Sequence, residues 1–323
     1  MTWLVTGGAG YIGAHVVRAL LQDGDPVVVL DDLSTGDRTR VDPAAELVEG
    51  SVLDRGLVRR VLREHGVTGV VHIAAKKQVG ESMADPLLYY RENVEGLIAL
   101  AESCREKGVD RFVFSSSAAT YGLPDVDLVD EDTPGAPLSP YGESKLVGEW
   151  LLRHCERAYG LRTMNLRYFN VAGAATPELG DTGVFNLIPM VFERLQAGER
   201  PRVFGGDYPT PDGTCVRDYV HVADIADAHR AAARALAGGA PGATYNIGRG
   251  EGSSVLDVLR VVGEVTGLDT TPEVVERREG DPAQVVAAVD RIRAGLGFTA
   301  AHDLRSMVES AWAGWQLRHP EPV

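Results

Sequence analysis

Two residues in the stretch SPYGESK, Tyr141 and Lys145, have the types and the spacing to move a proton. Ser139 and Pro140 open a helix, an N-cap followed by proline at the first helical position. The apolar residues that follow recur at helical spacing, so Tyr141 and Lys145 fall on one face, a turn apart. A free tyrosine has a pKa of about 10, too high for an efficient base near neutral pH. An ammonium one turn away favours the phenolate and lowers that pKa. Tyr and Lys at this spacing are common by chance, so the chemistry needs partners elsewhere. FSSSAATYG offers one set: Ser115, Ser116 and Ser117 follow an apolar run, which predicts the C-terminal edge of a sheet, where ligands of open α/β sheets bind. A polar loop is the plain alternative. No acid–His pattern accompanies these serines, which leaves nucleophilic serine chemistry unsupported. A hydroxyl there could hold a substrate alcohol while the tyrosine takes its proton.

VTGGAGYIG supplies a second partner, with Gly7, Gly10 and Gly13 in a GxxGxxG array between an apolar run and a helical segment. Glycine permits a tight turn and close backbone approach to a pyrophosphate seated at the helix N-terminus. Asp31 closes the second apolar run. A carboxylate there can accept hydrogen bonds from an adenosine ribose and repels a 2′-phosphate, which favours NAD over NADP.

The elements that must position these groups alternate. Apolar runs at Trp3–Val5, Val27–Leu30, Gly69–Ile73, Arg111–Phe114 and Thr163–Leu166 predict strands. Tyr11–Gln22, Arg55–Glu64, Pro86–Lys107 and Pro140–Ala158 predict helices. Such alternation predicts an α/β fold, a doubly wound parallel sheet with helices on both faces. Near residue 171 the pattern loosens into loops rich in Gly, Pro, Thr and Asp, which predicts a smaller mixed α/β lobe. The expected division is a dinucleotide-binding part over 1–170, to which the chain returns at about 216–247, and a substrate-binding lobe over 171–215 and 248–323. A net charge of −14 argues against a broad nucleic-acid or anionic-membrane surface. Cys104, Cys155 and Cys215 lie far apart without a CxxC pattern, so neither a metal site nor a disulfide framework is expected. The opening MTWLVTGGAGYIG lacks a basic leader and a cleavage site, and a soluble cytoplasmic protein is expected.

Glycine array, serine-bearing strand end and Tyr-x-x-x-Lys together resemble the extended short-chain dehydrogenase/reductase family, with its Rossmann fold. More narrowly, the chain resembles bacterial UDP-galactose 4-epimerases through LVTGGAGYIG, KKQVGES, YYRENVEG, FSSSAATYG, SPYGESK, LRYFNVAGA, VFGGDYPTPDGTCVRDYVHVADIADAH and RREGDPA. The resemblance implies Tyr141 as acid/base, Lys145 as its electrostatic tuner and a ribose ligand, and Ser117 as the hydrogen-bonding partner of the substrate. It places Tyr11 and Ile12 along the pyrophosphate turn and Lys77 and Asn93 over the NAD. Asp32, Ser51, Val52, Ile73, Ala74, Ala75 and Ser115 complete the implied cofactor set, and Tyr168 and Phe169 lie near the nicotinamide end. Asn170, Asn186 and Leu187 would meet the substrate diphosphate, Arg217 and Arg278 would clamp it, and Asp281 would hold the uridine ribose. Val203, Phe204 and Tyr219 join the implied substrate set.

Two departures stand out. Ser51 replaces an acidic residue common in relatives next to adenine, with Asp54 as a possible substitute. Val285 aligns with the residue that limits space at the sugar's C2 substituent, and its small size leaves access for N-acetyl sugars. The implied reaction is NAD-dependent C4 epimerisation of a UDP-hexose, through a 4-keto intermediate that turns over in the site. UDP-GlcNAc/GalNAc and UDP-pentose epimerisation are the nearest rivals, and a non-catalytic dinucleotide sensor is a remote one. Sugar-nucleotide 4,6-dehydratases usually place Asp-Glu where Ala118-Ala119 follows Ser117 here. By family analogy a homodimer is expected, through the helices opening near Pro86 and Pro140.

Overall fold

The computed structural model describes residues 1–278 and 280–320. The first half of the chain alternates strand and helix: β1 (Trp3–Thr6), α1 (Tyr11–Leu21), β2 (Val27–Asp31), β3 (Glu46–Glu49), α2 (Arg55–Glu64) and β4 (Gly69–His72). Then come α3 (Val79–Ala84), α4 (Pro86–Tyr89), α5 (Gly96–Lys107), β5 (Arg111–Ser117), α6 (Pro140–Tyr159) and β6 (Arg162–Tyr168). The Pro86–Lys107 helix is helical along its length, with a π-helical turn at Tyr90–Glu95 between α4 and α5.

The remaining elements are β7 (Asn170–Ala172), α7 (Leu187–Gln196), β8 (Arg202–Phe204), β9 (Val216–His221), α8 (Val222–Ala237), β10 (Ala243–Ile247) and β11 (Gly252–Ser254). They close with α9 (Val255–Thr266), β12 (Glu273–Val275), β13 (Gln284–Val285), α10 (Asp290–Leu296) and α11 (Leu304–Arg318).

Seven parallel strands among the described residues form one sheet in the order β10-β6-β5-β4-β1-β2-β3. This is the Rossmann arrangement. Strand order reverses between β1 and β4, and a crevice opens there at the carboxyl ends of the strands. Each strand is apolar on both faces because helices cover both. In β1, Trp3 and Val5 pack toward α1 and α8, while Leu4 packs toward α2 and α5. Such strands read as continuous apolar runs rather than alternating ones.

β9, expected within the return to the first part, pairs instead with β7, β11 and β13 in a second, four-stranded sheet. The return to the large sheet starts with α8, which packs beside α1, and ends with β10 on the sheet edge. A third core joins Phe192 of α7, Val258 and Val262 of α9, and Met307 and Trp315 of α11.

Segment 173–180 after β7 is bolted to the first part of the chain. The Tyr11 hydroxyl donates to the Gly173 carbonyl at 2.5 Å, and the Ala175 N–H donates to His15 Nε2 at 3.0 Å. Arg40, which is buried, donates to the carbonyls of Leu179 (2.8 Å) and Gly180 (3.0 Å). Among the described residues no helix is long and apolar enough to cross a membrane, and no cluster of His, Cys, Asp or Glu could hold a metal ion. The three cysteines are free thiols.

Candidate active site

The crevice between β1 and β4 holds an open cleft of about 430 Å³. Its floor is the turn from β1 into α1, where two glycines are required by space. A Cβ on Gly7 (φ +74°) would lie 2.6 Å from the Ala74 nitrogen, and one on Gly13 would lie 2.0 Å from the Gly7 carbonyl oxygen. The N-cap of α1, Gly10, supplies no side-chain cap, so the first turn presents bare N–H groups to the cleft. Asp31 ends β2 and accepts from the Ala9 and Leu33 N–H groups, each at 2.9 Å. Burial raises its carboxyl pKa, and those two bonds pull it back.

All the cofactor-binding candidates line this cleft except Asn93 and Ser115. Asn93, expected to close over the cofactor, is buried behind the wall. Its Oδ1 accepts from the Lys76 N–H (2.8 Å), and its Nδ2 donates to the Lys76 carbonyl (3.0 Å) and to Ser144 Oγ (2.9 Å). It thereby ties the Lys76–Lys77 wall to α6. Ser51 lines the cleft and accepts from the Leu53 N–H. Asp54 caps α2 through the Leu57 N–H and is not on the wall, so it does not stand in for the acid that Ser51 lacks.

Ser139 caps α6, accepting from the Gly142 N–H at 3.2 Å, and Pro140 occupies the first turn as the sequence predicts. That rigid start sets Tyr141 and Lys145 on the cleft wall. Burial raises the Tyr141 phenol pKa, and hydrogen bonding with Ser117 lowers it. Lys145 Nζ donates to the Ser115 carbonyl at 2.9 Å and lies 5.1 Å from the centre of the Phe114 ring. Burial pushes its pKa down to about 8, against the attraction of the Glu149 carboxylate. At neutral pH the ammonium is therefore retained. Burial also raises the Tyr168 phenol pKa.

At the other end, Phe169 packs with Tyr121, Val129 and Ala287, and Val285 borders that cluster. Asn170 on β7 lies opposite Tyr219 on β9, and Asn186 caps α7 at Leu187 without a side-chain cap bond, its Nδ2 donating to Asp181. Arg217 is Cα-paired with Val285, and its Nη2 lies 3.6 Å from Asp281. The Arg278 guanidinium sits 3.7 Å from the centre of the Phe204 ring. Val203 is only 1% exposed and belongs to the third core.

The cleft also has walls that sequence reasoning missed. Asp181, Thr182, Gly183 and the exposed Phe185 reach it from the loop before α7, Lys76 and Gln78 from the loop after β4, and Glu81 from α3. The first group carried no signal beyond loop composition, because the fold alone brings it to the crevice.

Residues 3–248 match the NAD dependent epimerase/dehydratase family. The UDP-glucose 4-epimerase of Azospirillum brasilense is 47% identical over 95% of this chain and 90% of its own. The UDP-glucose-4-epimerase of Stenotrophomonas maltophila, solved with bound NAD and formylated UDP-arabinopyranose, superposes with a TM-score of 0.96 at 38% identity over 99% of each chain. The UDP-Glc/GlcNAc 4-epimerase of Campylobacter jejuni superposes at 0.87, with 37% identity over 98% of this chain and 99% of that one.

Proposed function

The chain belongs to the NAD dependent epimerase/dehydratase family, and from that premise we propose that it interconverts UDP-glucose and UDP-galactose by inverting C4 of the sugar. One observation carries the reading: Tyr141 and Lys145 share a single cleft with the glycine turn and Asp31. The cleft fits NAD. A Cβ on Gly7 or Gly13 would clash with the backbone of Ala74 or of Gly7 and open the tight turn, the bare N–H groups of α1 suit a pyrophosphate, and Asp31 disfavours a 2′-phosphate. Bound NAD, held by the glycine turn and Asp31, would serve as a reversible hydride acceptor at C4 with no net redox change.

The protein's own residues supply the rest. Tyr141 removes and returns the C4 hydroxyl proton, and Ser117 holds the oxygen that loses it. Burial works against the phenolate and Ser117 works for it; the Lys145 ammonium, one turn away on α6, is the positive charge that would favour the phenolate further. Arg217 and Arg278 bind the diphosphate, as guanidinium forks suit phosphate oxygens. Asp281 holds the ribose, Phe204 and Tyr219 border the nucleoside, and Asn170, Asn186 and Leu187 flank the diphosphate. This remote binding retains the 4-keto sugar while it rotates beside Phe169.

On this reading, residues 1–170 with α8 and β10 form the cofactor part, and the remainder forms the substrate lobe. Leu87 and Trp150, 75% and 47% exposed on α4 and α6, support a homodimer through those helices. The reading includes a cytoplasmic location and no nucleic-acid or membrane partner. Val285 favours a second substrate set, UDP-GlcNAc and UDP-GalNAc, because a small residue leaves space at C2. Purified protein supplied with NAD should convert UDP-galactose to UDP-glucose, followed by proton NMR of the anomeric signals. Failure with these, with the N-acetyl sugars and with UDP-pentoses would overturn the reading.

A further inference from the structure

β5 ends in three serines, and β4 stops pairing with it at His72–Phe114. Ser115, Ser116 and Ser117 therefore have a strand neighbour on one side only, β6. Yet this unsupported end carries the Ser115 carbonyl that holds Lys145, and Ser117, whose side chain lowers the Tyr141 phenol pKa. Two buried side chains outside the cleft grip it instead.

On the α8 face, the Ser115 hydroxyl lies 2.9 Å from His229 Nε2. His229 Nδ1 lies 2.8 Å from the Ile225 carbonyl, one turn back on α8. A carbonyl can only accept, so Nδ1 carries the proton and Nε2 accepts from Ser115. Burial pushes the imidazole pKa down to about 4, which keeps the ring neutral in that tautomer. On the α6 face, the Ser116 hydroxyl donates to Glu149 Oε1 at 2.5 Å. Arg167 of β6 fixes the same carboxylate through Nε (2.8 Å) and Nη2 (2.5 Å), and its Nη1 donates to the Glu131 carbonyl at 3.3 Å. Glu149 also continues the Tyr141–Lys145 face of the helix by one more turn.

We propose that His229 and Glu149 are positioning residues that clamp the end of β5 from its two faces, so that Ser115 and Ser117 meet Lys145 and Tyr141 in register. The proposal rests on the epimerase reading for its kinetic consequence and on the geometry alone for its mechanical one. A satisfied buried network of this kind fixes a unique arrangement, and a small misplacement of reacting groups is costly in rate.

The test uses the NAD-loaded full chain. His229→Leu removes the acceptor, and Ser116→Ala cuts the α6 tie while leaving Glu149 paired with Arg167. Each should lower kcat on UDP-galactose about 10-fold or more, with KM within about twofold. His229→Gln, whose amide oxygen can stand where Nε2 stood, should recover to within about threefold of wild type. Amide hydrogen exchange over residues 115–119 should be faster in the first two variants and close to wild type in His229→Gln, with melting temperature and bound NAD little changed. Equal impairment of His229→Gln and His229→Leu, or unaltered exchange over 115–119, would overturn the clamp. Wild type that fails to convert UDP-galactose would overturn the epimerase reading alone, and the exchange experiment would still decide the clamp.

Discussion

The cofactor end and the nucleotide end of the cleft are held by different kinds of contact. At the cofactor end, polar side chains are tied to main chain: Asp31 to Ala9 and Leu33, Asn93 to Lys76, Lys145 to Ser115. At the nucleotide end, the groups expected to bind UDP mainly contact one another, Arg278 with Phe204 and Arg217 with Asp281, although Arg217 also donates to the Val216 carbonyl. The first end is therefore built before a ligand arrives, and its residues serve folding and binding together. The second must exchange internal partners for ligand, so its residues can be altered at little cost to the fold.

Tyr141→Phe lies between the ends and should break neither. It should lower kcat about 10³-fold, the range for a lost acid/base group, with NAD content and melting temperature intact. Full activity in this variant would remove Tyr141 from its role. Asp31→Ala should hit folding and binding at once. Ala9 and Leu33 lose an acceptor for their N–H groups, so NAD should release about 100-fold faster and stability should fall by about 1–3 kcal/mol, measured by filter retention and denaturant titration. Arg278→Ala should separate the two effects, raising KM for UDP-galactose about 10- to 100-fold while the melting temperature stays put. A matching loss of stability there would erase the contrast between the ends.

Val285→Tyr is smaller in reach. It should lower turnover of UDP-GalNAc about 10-fold relative to UDP-galactose in side-by-side assays, within the range for pocket-size discrimination. Unchanged N-acetyl turnover would move the gate elsewhere. The last contrast is one of pH. Burial holds His15, His221 and His229 at pKa values of about 4 and His72 at about 3, so all four are neutral in the fold. The unfolded chain takes up these protons first, near pH 6.5. Stability present above that value is lost as pH falls toward 4, by about 1.4 kcal/mol per pH unit for each histidine fully titrated in the unfolded state. Asp218, pushed up to about 6, opposes this below pH 6. Three of the four rings, His15, His72 and His229, stand in the layers around the cofactor end. Melting curves from pH 7 to 4.5 should therefore fall steeply, and bound NAD should protect against the loss.

What could be read from sequence was whatever has a local signature. Glycines before a helix, Ser-Pro before Tyr141, and apolar runs marked the sheet and the proposed acid/base pair. β3 was missed because ELVE sits on the sheet edge with both Glu residues exposed, and so lacks the buried-strand run of its neighbours. Glu149, Arg167 and His229 were missed for a related reason: on a helix or strand a charged residue reads as surface, and only the fold shows these three to be buried. The Asp181–Phe185 wall depends on contacts between distant segments and has no local signal at all. Asn93 was expected over the cofactor, and the structure adds what its position in the sequence could not show: bonds to the main chain of Lys76 and to Ser144.

The bolts between α1, Arg40 and segment 173–180 bear on how the molecule comes apart. They join α1 and the segment after β2 to the chain that leads into α7, through two bonds buried on both sides, Tyr11 to Gly173 and Arg40 to Leu179, and a part-buried one from Ala175 to His15. Neither half can open far without stranding those groups, so heating should produce one calorimetric transition rather than two.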